Sequence, residues 1–139
     1  MTGDSEPEKI IRDIVQSQAD AWCKGDAEGY AANAEDDLWF TNVRGQHWTG
    51  REEFVRVHDS VFRGAYAGSR LEAEVERVSF PGSGVAMVEI LLRLTGARAM
   101  PAGIVPSADG VVRTRLLEVF EMRRGVWTLI ACHNTVVVV

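Results

Sequence analysis

The second half of the chain, from Ser69 onward, carries strand patterns with no helical pattern between them. Residues 71–77 alternate apolar and charged side chains, which is typical of a strand with one solvated face. Residues 85–94 are more apolar, as in a central strand, and residues 113–123 and 126–137 form a final hairpin with a tight turn. Consecutive strands joined in this way pair antiparallel, so this half predicts a meandering antiparallel sheet.

The first half carries the helices. Apolar residues recur at steps of three and four over residues 10–22 and form one apolar stripe. Pro7 suits a first helical position, and either Asp4 or Ser5 can cap the helix. The pattern therefore predicts a long amphipathic helix at the start of the chain, which ends at Gly25.

Two more helices follow, with a hairpin between them. The second helix begins after Asp26, and the third opens at Thr49. Between them, residues 38–43 form a strand that turns back at Arg44-Gly45. Helices on one face of an antiparallel sheet make an α+β fold. The predicted architecture is a strongly curved antiparallel sheet wrapped on about three N-terminal helices, a cone that leaves a cavity.

The length predicts a single domain. The chain has 139 residues, and domains commonly contain roughly 100–150. We assign residues 1–139 to one domain, of which residues 1–7 are a flexible N-terminus. The segment GARAMPAGIVPSADG, residues 96–110, has two prolines and three glycines and predicts a long loop. A loop of this length in a compact domain is usually functional or mobile.

Charge and hydropathy exclude several classes of partner. The formal net charge of -5 argues against nucleic-acid binding, which needs a basic surface. No stretch approaches the roughly 20 apolar residues that span a bilayer, and the N-terminus lacks the pattern of a secretory signal. Cys23 and Cys132 are expected to be reduced core thiols. We therefore predict a cytoplasmic protein with no nucleic-acid or membrane partner.

No cofactor or metal site is expected from the motifs. His47, His58 and His133 are scattered, without the close pairs typical of metal ligands. No glycine-rich loop that follows a strand and opens a helix is present, and no nicotinamide or flavin fingerprint occurs.

Two histidines are candidates for a buried proton carrier. Alternation along the last strand puts His133 on the face of Trp127 and sends Asn134 to the opposite face. His58 follows Phe54 by four residues in the third helix and points with it toward the core. A histidine in an apolar cavity can carry a proton near neutral pH. The alternative, a structural core histidine, is the commoner role.

Two strand carboxylates are candidate partners for these histidines. Glu118 shares its strand face with apolar neighbours, and Glu89 shares its face with Arg93. If these groups converge in one cavity, they could perform general acid–base catalysis. The alternative is cross-strand charge pairing, Glu89 with Arg93 or Glu118 with Arg115, worth about 0.2–1 kcal/mol for each pair.

Aromatic and polar residues among the apolar segments predict a ligand pocket, although each tryptophan is equally suited to a core. The predicted ligand-contacting residues are Trp22, Trp39, Asn42, His47, Phe62, Met87, Arg93 and Met100.

Three features together resemble the SnoaL-like, nuclear transport factor two-like superfamily, and within it the SgcJ/EcaC group of bacterial natural-product pathways, including enediyne polyketides. They are the segments WCKGDAEGYAANAEDDLWFTNVRGQHWTGREEF and GVWTLIACHNT, with His58 between them. The resemblance covers residues 8–136. It implies a cone-shaped α+β barrel of the SnoaL-like or cystatin-like type and a homodimer formed through the outer face of the sheet. It also implies that His133 and His58 face the cavity and that Asn134 faces the dimer partner.

The resemblance implies an accessory protein that binds a hydrophobic polyketide-type intermediate and leaves catalysis open. Superfamily relatives include cyclases, isomerases and dehydratases as well as pure binders. As a cofactor-free cyclase or isomerase, the protein would use His58 or His133 to move the proton. Glu118 or Glu89 would be the partner, and Arg93 or Asn42 would orient a carbonyl oxygen. The alternatives are a non-catalytic protein that sequesters a small molecule, with residues 96–110 as a lid, and a dimerisation module.

Overall fold

The computed structural model describes residues 5–138 and has the predicted α+β architecture. The helices are α1 (Glu6–Cys23), α2 (Ala27–Tyr30) and α3 (Arg51–Arg63), and the strands are β1 (Ala34–Thr41), β2 (His47–Thr49), β3 (Arg70–Gly82), β4 (Val85–Thr95), β5 (Val112–Arg123) and β6 (Val126–Val136). The helices precede the long strands, and α1 packs on β3 while α3 packs on β1 and β2.

The sheet is mixed, whereas the sequence predicts antiparallel pairing throughout. The strand order is β2-β1-β6-β5-β4-β3, and the other neighbours pair antiparallel, but β1 runs parallel to β6. A parallel pair requires a long crossover connection, which α3 and the three strands before β6 supply. The pairing puts β6 between β1 and β5, so both of its edges are covered by neighbouring strands.

Helix α1 begins as its sequence indicates. The side chain of Ser5 accepts a hydrogen bond from the Glu8 backbone N–H at 3.3 Å, and α1 starts at Glu6. Ser5 is therefore the cap, and the alternative, Asp4, lies outside the described residues. Residues 1–4, which belong to the segment 1–7 that is expected to be flexible, also lie outside the described residues. The buried face of the helix consists of Ile11, Val15, Gln18, Ala19, Ala21 and Trp22.

The core lies between the helices and the inner face of the sheet. Strand β4 shows the alternation most clearly, because every second side chain from Ala86 to Leu94 is buried. Ile11, Leu38, Ile90 and Phe120 are fully buried large side chains. Each such side chain contributes about 1.5–3 kcal/mol by leaving water.

A β-bulge interrupts the pairing of β5 with β6. Phe120 is opposite Leu129 and Val119 is opposite Ala131, so Ile130 is an extra residue without a partner position. A bulge of this kind puts two residues of one strand against one of the other and changes which face the following side chains occupy.

The bulge reverses the predicted orientation of the end of β6. Trp127 is buried before the bulge, as alternation predicts, but Cys132 is buried after it. His133 consequently lies on the outer face and is exposed, while Asn134 lines the interior. The expectations that His133 faces the cavity and that Asn134 faces outward are both wrong.

Residues 96–111 form the predicted long loop, without helix or strand. The Arg98 backbone N–H donates to the Ala65 carbonyl at 2.7 Å, and Arg113 forms a 2.7 Å ion pair with Asp109. These contacts tie the loop to the segment after α3 and to the start of β5.

Cys23 and Cys132 are free thiols, as predicted. No helix within residues 5–138 is long and apolar enough to cross a membrane.

Candidate functional site

A cavity of about 350 Å³ lies between the inner face of the sheet and the helices α2 and α3. Loop 96–111 and the β1–β2 hairpin close two of its sides. Its wall is mainly apolar and includes Trp22, Phe40, Trp48, Leu92, Met100 and Leu116. A concave apolar site with few polar groups is the usual form of a small-molecule site.

Glu118 is the acidic group of this wall. It lies on β5 between the buried side chains of Leu116 and Phe120 and is 3% exposed. Its Oε1 atom is buried and has no hydrogen-bond partner among residues 5–138. Burial raises the pKa of Glu118 to about 8, and the neighbouring Gln18 side chain opposes this shift only partly. Glu118 is therefore mostly protonated at neutral pH.

His58 is the buried basic group of the wall. Helix α3 carries it on its buried face, where its Nδ1–H donates to the Phe54 carbonyl at 2.8 Å. Burial lowers the pKa of His58 to about 4, so the imidazole is neutral at pH 7. A carbonyl only accepts, so the proton is on Nδ1 and Nε2 keeps its lone pair.

Aromatic rings fix the position of His58. Its ring centroid lies 4.4 Å from that of Phe54, 4.7 Å from that of Tyr30 and 5.3 Å from that of Phe40. The Trp22 Nε1–H donates to Ser69 at 2.9 Å, which anchors the indole at the same end of the cavity. The imidazole is therefore held in an apolar, aromatic surrounding.

Tyr30 and Cys132 are the other titratable groups near Glu118. Burial raises the pKa of both, and the charge of an ionised Glu118 raises it further. Each keeps its proton at neutral pH. The inner end of the cavity, where these groups meet, thus carries no charged side chain when Glu118 is protonated.

The mouth of the cavity is more polar than its interior. Arg44 and Arg56 line it, and Arg56 forms a 2.6 Å ion pair with Glu53. The Asn42 side-chain oxygen accepts from the backbone N–H groups of Arg44 and Gln46, each at 3.0 Å. Asn42 thus shapes the β1–β2 turn while it borders the cavity.

Five of the predicted site residues line the cavity. They are His58, Glu118, Trp22, Asn42 and Met100.

Three predicted residues of β4 point away from the cavity. Met87 is exposed, Glu89 forms a 3.5 Å ion pair with Arg77, and Arg93 forms a 2.8 Å ion pair with Glu74. Side chains alternate along β4. The apolar residues in register with Ala86 face inward, whereas Met87, Glu89 and Arg93 face outward. Glu89 and Arg93 form cross-strand ion pairs, which is the kind of contact that the alternative interpretation predicts. Their partners lie on β3, however, and the two residues do not pair with each other.

The other misplaced residues lie on or near β1 and α3. Trp39 is 71% exposed because its neighbours in β1, Leu38 and Phe40, occupy the inner face. His47 is exposed on the short strand β2. Phe62 is buried against Trp22, with ring centroids 4.9 Å apart, and belongs to the core behind the cavity wall. With His133, these residues do not contact the cavity.

Sequence reasoning does not assign Gln18, Tyr30, Cys132 or Asn134 to the site. Gln18 has a visible signal, because it is a polar residue within the apolar stripe of α1 and is 7% exposed. Tyr30 has the pattern of a packing residue alone. Simple alternation along β6 does not predict that Cys132 and Asn134 face the cavity, because the bulge at Ile130 precedes both residues.

The arrangement favours proton transfer. Among residues 5–138, no three His, Cys, Asp or Glu side chains cluster as metal ligands do. A protonated carboxyl and an unprotonated imidazole in one apolar cavity form an acid and a base whose pKa values are displaced in opposite directions. Such a pair can give and take protons on a bound molecule.

A family model described as a SnoaL-like domain matches residues 11–138. A search of curated proteins gives no significant match.

Solved structures from several bacteria share the fold. A cystatin-like domain from Nostoc punctiforme is 28% identical, with 99% of this chain and 81% of that chain covered and a TM-score of 0.80. A cystatin-like protein from Caulobacter vibrioides is 24% identical, with 96% and 92% covered and a TM-score of 0.81. A ketosteroid isomerase-like protein from Erwinia carotovora is 17% identical, with 98% and 100% covered and a TM-score of 0.76.

Proposed function

The chain belongs to the SnoaL-like domain family, and from this premise we propose that it binds a hydrophobic small molecule and moves a proton on it without a cofactor. The family includes isomerases, cyclases and dehydratases as well as ligand-binding proteins. The observation that carries the proposal is Glu118, whose buried Oε1 faces no partner within the described chain. A buried unsatisfied carboxyl costs stability, so its retention points to a role with a ligand.

The proposed reaction begins with a carbonyl group beside Glu118. The protonated carboxyl donates to the carbonyl oxygen, while Nε2 of His58 accepts a proton from the adjacent carbon. One C–H bond and the carboxyl O–H bond break, an N–H bond and a new O–H bond form, and an enol results. Return of the two protons, with the carbon proton delivered to another position, completes an isomerisation or prepares a ring closure.

The surroundings support this division of roles. The Phe54 carbonyl holds the Nδ1 proton of His58 and so leaves the lone pair of the other nitrogen for the cavity. Proton transfer leaves Glu118 negative and His58 positive, and each charge stabilises the other in the apolar interior. The ketosteroid isomerase-like protein from Erwinia carotovora supports an isomerase-type reaction by its name, through likeness of fold alone.

Deuterium exchange into a simple ketone tests the proposed reaction. We would incubate the protein with α-tetralone in D₂O and use NMR to follow the loss of the proton signal from the carbon next to the carbonyl. We expect exchange faster than in buffer alone. Glu118→Gln keeps a hydrogen-bond donor but has no acidic proton, so it should bind α-tetralone and lose roughly 10²–10⁴-fold in exchange rate.

The matched control is Met87→Leu, on the outer face of the sheet, which should exchange at the wild-type rate. Exchange that is no faster than in buffer, or equal rates for the wild type and Glu118→Gln, would contradict proton transfer at Glu118.

The finer proposal is that the ligand is a polyketide-type intermediate and that the protein is an accessory of enediyne or related natural-product biosynthesis. The resemblance to the SgcJ/EcaC group and the large apolar wall support it. Polyketide intermediates are rich in carbonyl groups separated by acidic carbons, which suits the acid and base at Glu118 and His58. Purification from a producing bacterium, followed by mass spectrometry of the bound molecule, would test this assignment.

A homodimer in the cytoplasm completes the proposal. The exposed apolar side chains of Trp39, Met87 and Leu117 on the outer face of the sheet support self-association.

The second candidate is a protein that binds or sequesters its ligand without turnover. The mostly apolar wall and the closing loop with Met100 and Ile104 favour it, since binding needs no acid or base. In this case α-tetralone would bind without accelerated deuterium exchange, and Glu118→Gln would change the affinity but not the exchange rate. A dimerisation module without a ligand is the least favoured alternative, because the interior is open and about 350 Å³ in volume.

A further inference from the structure

We propose that the inner end of the cavity is built for an uncharged ligand group that offers a carbonyl acceptor to Glu118 and, on the same molecule, a hydroxyl donor to His58. The substrate class is a neutral hydroxy-ketone or the enol form of a dicarbonyl compound. This inference rests on the proposed function, because it names the ligand of the same site.

Glu118 defines the acceptor side. Its Oε1 atom is buried without a hydrogen-bond partner in the described part of the chain, and Gln18 approaches the same carboxyl from α1. A protonated carboxyl carries one O–H donor that needs an acceptor. Within residues 5–138 no acceptor is hydrogen-bonded to Oε1, so a carbonyl oxygen of the ligand completes the site.

His58 defines the donor side. Because Nδ1–H is committed to the Phe54 carbonyl at 2.8 Å, the imidazole presents a lone pair at Nε2. The rings of Phe40, Tyr30 and Phe54 surround it and contribute no donor through their ring faces. In the bound ground state a ligand hydroxyl donates to this nitrogen and leaves it when Nε2 accepts the carbon proton, whereas a second acceptor would meet the lone pair with another lone pair.

The two groups lie close enough for one small molecule. Phe40, Cys132 and Glu118 are paired partners on three adjacent strands, β1, β6 and β5. Adjacent strands lie about 4.8 Å apart, so this row spans on the order of 10 Å between its outer Cα atoms. The His58 ring lies 5.3 Å from the Phe40 ring, at one end of that row, and Glu118 is at the other end. A carbonyl and a hydroxyl of one small molecule can therefore contact both groups.

The charges around the inner end favour an uncharged ligand group. Tyr30 from α2 and Cys132 from β6 face Glu118, and burial keeps both protonated. The cations Arg44 and Arg56 lie at the mouth, and Arg56 is already paired with Glu53. An anionic group of a ligand is therefore accommodated at the mouth, while the inner end, without a counter-charge, takes a neutral group.

Three probes of one shape separate the contributions. Tetralin has neither donor nor acceptor, α-tetralone has the acceptor, and 4-hydroxy-α-tetralone has both. Binding to the full chain at pH 7 is followed by tryptophan fluorescence, since Trp22 and Trp48 line the cavity. We expect each added group to tighten binding roughly 3- to 10-fold, the value of one neutral hydrogen bond. Equal affinities for the three probes, or no binding of any of them at their solubility limits, would overturn the inference.

Two variants assign the gain to its residues. Glu118→Leu should abolish the advantage of α-tetralone over tetralin, and His58→Phe should abolish the further advantage of the hydroxyl. Each variant should keep the affinity for tetralin. Retention of either advantage would overturn the corresponding assignment.

A titration of the wild type tests the role of Glu118 without a variant. The affinity for α-tetralone should fall roughly 3- to 10-fold between pH 7 and about pH 9.5, as Glu118 loses the proton that it donates. Tetralin should bind equally at both pH values, and an α-tetralone affinity without pH dependence would contradict the role of Glu118.

The ligand class and the proton transfer can fail separately. If the probes rank as expected but no deuterium exchange occurs, the proton-transfer proposal fails while the ligand class stands. If exchange occurs but the three probes bind equally, the ligand class fails while proton transfer stands.

Discussion

Glu118 lies opposite Cys132 in the β5–β6 ladder, and both side chains line the cavity. Ionisation of either group would put a negative charge in an apolar interior beside the other. The pKa of each is raised by burial and, for Cys132, by the carboxylate across the ladder. The pair therefore stays uncharged at neutral pH, and the charge state of Glu118 becomes a source of pH-dependent stability.

Glu118 should make the protein less stable as the pH rises from about 4.5 to about 8. In that interval the unfolded chain has lost the proton of this carboxyl, while the folded chain still binds it. Relative to Glu118→Gln, the wild type should lose roughly 3–5 kcal/mol of unfolding free energy across the interval. Urea unfolding of both proteins at a series of pH values measures the difference.

The variant serves as its own control, because all other titrating groups are shared and cancel in the difference. A difference in unfolding free energy that stays constant from pH 5 to pH 8 would mean that the Glu118 carboxyl ionises normally in the folded protein.

His58 should act on the acid side. Its folded pKa is about 4 and the ordinary value is 6.5, so between these values the unfolded chain binds a proton that the folded chain does not. Stability should therefore fall as the pH decreases from about 6.5 to about 4, by about 3 kcal/mol relative to His58→Phe. The measurement is urea unfolding of both proteins at pH 7, 5.5 and 4.5. A histidine that titrates normally would produce no such divergence.

The two faces of β6 should differ in their effect on the ligand. Asn134 lines the cavity and His133 lies outside it. Asn134→Leu should change the affinity for 4-hydroxy-α-tetralone, and His133→Leu should leave both the affinity and the deuterium exchange unchanged. Fluorescence titration and NMR provide the two readouts. If His133→Leu changed the exchange rate and Asn134→Leu did not, His133 would face the cavity, as uninterrupted alternation along β6 predicts.

The sequence predicts elements and their faces where one period runs without interruption. The stripe of α1, the buried face of α3 with His58 and the inward set around Glu118 in β5 all follow a constant spacing. These regions contain the central residues of the candidate site. Side-chain burial there is a local property that repeats along one element.

Three errors have a cause outside the local pattern. The bulge at Ile130 arises from the pairing of β6 with β5, and one extra residue exchanges the faces of His133 and Asn134. Glu89 lies on a strand with apolar residues on both faces, so the pattern alone does not reveal which face is inner. The parallel pairing of β1 with β6 likewise depends on a crossover that spans most of the chain.

The outer face of the sheet should carry the proposed dimer. Trp39, Met87 and Leu117 are exposed there, and Trp39 is 71% exposed. A lysine at the centre of a self-complementary interface meets its own copy and loses apolar burial, so Leu117→Lys and Trp39→Lys should each weaken association at least about tenfold. Val105→Lys, on the exposed loop, is the matched control and should not change it. Sedimentation velocity over a range of concentrations measures the association, with circular dichroism to verify the fold. A wild-type monomer at all concentrations would refute the dimer, and a dimer that resists both outer-face lysines would place the interface elsewhere.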